Sequence, residues 1–306
     1  MRQWGAFLLL GTIWGSSFLW IKIAVGEIGP ATLVSFRLLF GAVGLLAVAF
    51  LTGQGLREHL RRYFPLYLFM AFFNTTLPFI LISWAETRID SALAAILNAT
   101  APLFAIVISH YMLADEKITL TRVAGLIVGF VGVVVLMSRE LSPQGVHGSI
   151  WGYVAMVAAS ASYGLSATFS RRHLRGHPPL VQATMVVVIA DVLTWAAVPF
   201  MDRPIILPQA GLTWFALAWL GLLGSCTAYM LYFYLINAWG ATRATIVTYV
   251  FPVVGLILGI VFLNESADWR LLAGSALIVG GIAVVNRRSP GARAPVRVGA
   301  EQPQKT

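Results

Sequence analysis

The chain reads as long apolar runs broken by short polar turns. Ten runs fall at roughly 4–25, 31–51, 65–84, 90–113, 119–137, 149–170, 179–200, 210–235, 241–263 and 269–286. A helix needs about 20 apolar residues to cross a bilayer, so each run predicts one span. The runs are continuous, unlike the alternating pattern of membrane barrel strands. The first run has no small-residue cleavage site and ends in Trp20 and Lys22, so it is kept as a span and not read as a signal peptide. The expected fold class is all-α integral membrane, with ten transmembrane helices.

Composition agrees with this pattern. Hydrophobic residues make up 58% of the 306 positions and charged residues 11%, against about 45–50% and about 25% in soluble domains. An ordinary soluble enzyme, a disordered chain and a nucleic-acid-binding domain are all excluded. One cysteine, Cys226, leaves no disulfide framework and no Cys-rich metal site. The net charge of +9 comes from Lys and Arg in short loops, which points to a membrane surface. With the N-terminus in the cytoplasm, ten basic residues from Arg2 to Arg243 lie inside, besides five in the tail, against four outside (Arg88, Arg139, Arg203, Arg270). The positive-inside rule therefore places both termini in the cytoplasm. Trp4, Trp84, Trp151, Trp214, Trp239 and Trp269 fall near span ends, as interfacial belts require.

The two halves repeat each other. A shift of 149 residues brings Gly15 onto Gly164, Ser17 onto Ser166, Pro30 onto Pro179, Glu116 onto Glu265, Gly125 onto Gly274 and Gly132 onto Gly281. One residue of slippage brings Ala94 onto Ala244 and Pro102 onto Pro252. Each half holds five spans, and an odd number inverts the second half in the membrane. Residues 1–137 form the first repeat, 138–148 an external linker, 149–286 the second repeat and 287–306 a disordered basic cytoplasmic tail. Two inverted five-helix repeats around a central cavity are thus expected.

Polar residues at mid-bilayer depth face inward or line water. Trp14 and Ser17 lie in the first span, Asn74, Thr75 and Pro78 in the third, and Asn98 and Pro102 in the fourth. Tyr163 and Ser166 lie in the sixth, Tyr229 and Tyr232 in the eighth, and Thr248, Tyr249 and Pro252 in the ninth. Thr245, Thr248, Tyr249 and Pro252 make one helical stripe. A proline inside a helix removes an N–H donor and frees carbonyls such as those of Asn98 and Thr248 for a ligand or water; a static kink satisfied by nearby Ser and Thr is the other reading. The aromatics would form a wall suited to neutral or aromatic solutes, or by cation–π contact to small cations; ordinary packing explains aromatics equally. These fourteen residues are the candidate substrate-binding set.

Charged residues within spans are few. Arg37 could hold a carboxylate, but near the outer end of a scaffold span it is expected to snorkel or serve structure. Asp191 is a weak candidate proton site, Lys22 and His110 are interfacial anchors, and Glu116 and Glu265 are helix caps. The Gly125–Gly132 stretch reads as helix packing in lipid.

The motifs Trp14-Gly-Ser-Ser-Phe18, Ser35-Phe-Arg-Leu38, and Pro102 with Glu116 and Gly125–Gly132 resemble an EamA-type repeat. Pro252, Glu265 and Gly274–Gly281 resemble its second copy. Over about 4–286 the chain is similar to the drug/metabolite transporter superfamily, whose ten-helix members include exporters of amino acids and other metabolites. The resemblance implies a central cavity lined by spans one, three, four, six, eight and nine, with the other four as scaffold. The second half departs from the pattern at Tyr163-Gly-Leu-Ser166 and lacks a counterpart of Arg37.

No His-Glu-x-x-His and no phosphate-cradling Gly-Lys-Ser/Thr loop occurs, so neither an enzyme nor an ATP-driven pump is expected. No catalytic residue, metal site or cofactor is assigned. The expected function is a secondary transporter of the inner (plasma) membrane, multi-pass, exporting small metabolites, first of all neutral or aromatic amino acids. Export would be facilitated or proton-coupled, by a monomer or weak dimer. The competing reading is a multidrug or quaternary ammonium exporter; a membrane enzyme or scaffold ranks below both.

Overall fold

The computed structural model describes residues 2–113, 118–138, 149–239, 247–248 and 250–285. Among these every regular element is helical. The first half comprises α1 (Arg2–Val25), α2 (Pro30–Leu51), α3 (Leu56–Met70), a wide π-helical segment (Ala71–Thr76), α4 (Leu77–Glu86), α5 (Ser91–Asn98), α6 (Ala101–Met112) and α7 (Leu120–Met137). The second comprises α8 (Ile150–His173), α9 (Pro179–Met201), α10 (Gly211–Ala218), a second π segment (Trp219–Thr227), α11 (Ala228–Trp239), α12 (Val250–Leu263) and α13 (Trp269–Val285). Glu116, Ala244, Thr245, Tyr249, most of the linker and the whole tail lie outside the described residues.

Six segments are long and apolar enough to cross a membrane: Gln3–Val25, Pro30–Leu51, Leu56–Glu86, Ser91–Met112, Pro179–Met201 and Gly211–Tyr232. The other four of the ten expected spans differ for two reasons. As described, the apolar helices at α7, α12 and α13 are shorter, the stretch ahead of α12 lying outside the described residues, and α8, although 24 residues long, is diluted by its Ser residues and its terminal Arg171, Arg172 and His173. The third span begins at Leu56, upstream of the expected 65, and kinks at Tyr63 (φ −121°, ψ 18°). Pro65 crowds the turn before it. The fourth span is broken rather than bent: α5 stops at Asn98 and α6 restarts at Ala101, with Pro102 in its first turn.

The helices pack across the halves. α1 runs along α12 and α6 along α8, while α2 packs on α9, α7 on α13 and α5 on α12. Close backbone approach makes the α7–α13 seam. A Cβ on Gly281 would lie 2.5 Å from the Gly129 nitrogen, and one on Gly132 would lie 2.8 Å from the Gly274 carbonyl oxygen. The glycine stretch therefore packs helices, as the sequence suggests.

One face of the bundle is held by carboxylates that cap helices of the opposite half. Asp202, just past α9, accepts from the Thr32 amide (2.6 Å) and hydroxyl (2.8 Å) at the start of α2. Glu265 accepts from the Ser91 and Ala92 amides at 2.7 and 2.9 Å, capping α5. Its expected capping role holds, but the helix capped is not the one it precedes; Asp268 caps α13 by accepting from Leu271 N at 2.8 Å. Glu27 accepts from the Thr213 hydroxyl and from the Ala210 and Gln209 amides ahead of α10. Those bonds, Thr213 first, hold its carboxyl below the usual carboxylate range. Each cap joins a negative charge to the positive end of a helix. Lys22 is more than an interfacial anchor here, because its ammonium donates to the carbonyls of Glu86 and Ile89 at 2.6 and 2.7 Å.

At the opposite face Tyr67 and His177 hydroxyl and Nδ1 lie 2.9 Å apart, with the Tyr63 ring 4.4 Å and the His59 ring 6.2 Å from the imidazole. Burial, then the His59 charge, lowers the His177 pKa. In the neutral tautomer with Nδ1 unprotonated the imidazole accepts a hydrogen bond from the Tyr67 hydroxyl, and protonation removes that acceptor.

Two outcomes follow from this packing. Gly281→Leu should destabilise the bundle by about 1–3 kcal/mol through overpacking, whereas Gly5→Ala, which meets nothing within 4 Å, should be silent; thermal unfolding in detergent measures both. Because the folded state disfavours protonation of His177, its contribution is complete above the ordinary imidazole pKa of about 6.5 and is lost as pH falls below it. The melting temperature should drop over that acidic range, and His177→Asn should flatten the slope.

Candidate functional site

The interior polar cluster is built around two weakened stretches of helix. Pro78 cannot donate to the Asn74 carbonyl, and the turn upstream widens into the first π segment. In the second π segment Ser225 and Thr227 donate to the carbonyls five residues back, Leu220 at 3.2 Å and Leu222 at 3.0 Å. Such π turns often mark functional sites.

The Trp14 indole donates to the Gly224 carbonyl at 3.0 Å, and its ring meets Tyr232 (5.4 Å), Phe251 (6.0 Å) and Tyr229 (6.1 Å). Ser166 donates to Asn74 Oδ1 and to the Tyr163 carbonyl, both at 3.0 Å. Asn74 and Thr75 lie within hydrogen-bonding reach of the Tyr229 hydroxyl. The expected Trp14, Asn74, Thr75, Tyr163, Ser166, Tyr229 and Tyr232 are therefore gathered in one region. Ser17 is buried beside it but donates to the Ile13 carbonyl of its own helix at 3.2 Å. Pro78 and Pro252 are buried in helix first turns, Thr248 is partly buried, and Tyr249 lies outside the described residues.

Pro102 lies in the first turn of α6, just past the break in the fourth span. The Leu97 carbonyl at the break accepts from the Thr100 hydroxyl (2.6 Å), the Thr100 amide (3.0 Å) and Ser160 across on α8 (3.0 Å). Asn98 makes no bond with the cluster, and its buried Oδ1 has no donor.

Arg37 does not snorkel. It is 6% exposed, its Nε donates to Ser225 Oγ at 3.3 Å, and its guanidinium stands 4.0 Å over the Phe79 ring. Tyr163, Tyr229 and Glu86 lie within its electrostatic range. Thus α2, expected as scaffold alone, brings a cation to the cluster. One residue escaped the sequence reading: Glu86 at the end of α4 is fully buried, and among the described residues neither of its carboxylate oxygens has a hydrogen-bond donor. The available signal was the position of Arg37 inside an apolar run and of Glu86 just past the end of one. Burying either ion costs several kcal/mol, so neither is a neutral packing choice. An open depression of about 860 Å³ elsewhere is lined by Gln54–Glu58, Arg61 and Arg62; it is a basic surface at the start of α3, away from this cluster.

Fold and interior together define a multi-pass membrane protein with a polar, aromatic and charged centre. Residues 3–138 and 150–287 match the EamA-like transporter family. The chain belongs to that family and is a membrane transporter, not an enzyme. An uncharacterized transporter of Archaeoglobus fulgidus is 26% identical over 94% of this chain and 100% of its own length. A probable terminal-alkyne amino-acid exporter of Streptantibioticus cattleyicolor is also 26% identical, covering 94% of both chains. The uncharacterized inner membrane transporter YedA of Escherichia coli K12 is 29% identical over 83% of this chain and 81% of its own. One crystal structure shares the fold with a TM-score of 0.66 at 22% identity, covering 93% of this chain and 96% of that one.

Proposed function

We propose that the protein is a secondary transporter exporting small carboxylate-bearing metabolites, foremost neutral and aromatic amino acids, across the inner (plasma) membrane. Two inverted five-span halves would alternate access to the central cluster, with both termini cytoplasmic. The packing supports the inversion. The α1–α12 contact has its counterpart in α6–α8, while α2–α9 and α7–α13 are each their own counterpart. The two π segments also fall at equivalent places, one in the third span and one in the eighth.

Arg37 carries the substrate reading. Among the described residues its one hydrogen bond is to Ser225, which leaves the outer nitrogens of a buried guanidinium without hydrogen-bond partners there. A substrate carboxylate would supply charge and two acceptors in matching geometry. Trp14, Tyr229, Tyr232 and Phe251 would receive an apolar or aromatic side chain, with Asn74 and Ser166 at its polar edge. The same cation repels a quaternary ammonium, which weighs against the multidrug alternative. That one relative is described as an amino-acid exporter adds support.

Counterflow in proteoliposomes across an amino-acid panel tests the proposal. Arg37→Gln should lower amino-acid flux by ~10-fold or more, the loss of charged hydrogen bonds worth ~1.5–3 kcal/mol, while Arg37→Lys should keep part of it. Wild-type flux in Arg37→Gln, or transport of tetraphenylphosphonium with no amino acid moved, would overturn it.

A further inference from the structure

Glu86 stands two turns beyond Phe79 on α4, about 10 Å along the helix axis. It is 0% exposed, and among the described residues both side-chain oxygens are without hydrogen-bond donors. The charged groups that act on it are Lys22 from α1, Glu265 from the loop before α13 and Arg37 from α2. Nearer in sequence, Arg88 is turned onto the Trp84 ring at 3.7 Å, and Asp90 stands at the start of α5. α8, which packs along α4, brings no charged side chain before Arg171.

The neighbours are committed elsewhere. Lys22 donates to the carbonyls of Glu86 and Ile89, and Glu265 holds the first amides of α5. An ionised Glu86 would be a buried carboxylate without a donor among the described residues, which burial strongly disfavours. A neutral acid avoids most of that penalty. The residue lies directly beneath the face closed by Glu27, Asp202 and Glu265, and Lys22 ties its backbone to that closure.

From this geometry we infer that Glu86 is the proton-carrying group of the transporter. It keeps its proton while the capped face is closed. When that face opens, the O–H bond breaks, the proton passes to water, and the Lys22 ammonium leaves its two carbonyls to pair with the carboxylate. Alkaline conditions thereby favour opening and acid favours closure. The inference rests on the transporter reading but not on which solute is moved.

The test uses no solute, so its failure is separate from failure of the amino-acid proposal. Full-length protein in lipid nanodiscs is compared with Glu86→Gln by infrared difference spectroscopy at neutral pH. The expected result is a protonated-carboxyl stretch present only with Glu86; loss of an ionised-carboxylate band instead would overturn the assignment. Ser91→Cys in a Cys226→Ser background then reports opening of the capped face through maleimide labelling, normalised at each pH to the protein unfolded in detergent. Labelling should rise with pH, by at most about ten-fold per unit for one linked proton, and be flat in Glu86→Gln. An equal rise in both, or no rise in either, refutes the switch. Glu86→Asp retains a titrating group and must retain the rise; a flat response in it, with normal accumulation in the membrane, refutes the switch as well.

Discussion

Hydrocarbon offers no hydrogen bonds, and that constraint governs this protein. Every backbone amide and carbonyl at membrane depth must find a partner within the protein, so every regular element among the described residues is helical. Where the helices depart from regularity, the freed groups are met by hydroxyls and amides of other segments. Ser160 reaches the Leu97 carbonyl, Ser162 reaches that of Phe73 at 2.6 Å, and Trp14 reaches that of Gly224. The irregular turns are therefore what bring polar side chains inward, and the interior cluster is a consequence of how the breaks are repaired.

The same constraint makes charge placement informative. Glu27, Asp202 and Glu265 are stabilised where they end helices of the opposite half. They fasten one face with interactions that water can replace, which suits a closure that must open. Arg37 and Glu86 have no comparable compensation. Among the described residues Arg37 has one hydroxyl and one aromatic face, and Glu86 has no donor. Two buried ionisable groups left under-satisfied in a transporter are best understood as waiting for partners that come and go, a substrate carboxylate for one and a proton for the other.

The first half also shows how a proline can serve different ends. Pro65 kinks α3 near one face, Pro78 opens a π segment in the centre, and Pro102 breaks the fourth span. The chemistry is identical, and the outcome depends on which neighbours reach the released carbonyl.

The sequence alone determined the helical class, the apolar runs, the glycine seam and most of the polar cluster. These follow from local composition and spacing, because a membrane helix must be apolar and small residues must mark close approach. Trp14, Asn74, Tyr163, Ser166, Tyr229 and Tyr232 were legible as polar or amphipathic groups at depth. What only the tertiary structure decided was direction. Arg37 reads as a snorkelling residue until α2 is seen packing on the second π segment, and Glu86 reads as a loop boundary until α1, α2 and the Glu265 loop surround it. Glu265 likewise caps a helix some 170 residues away. Whether a charge at the end of an apolar run meets water or protein depends on the neighbouring helices, and no local pattern in the chain encodes which neighbours those are.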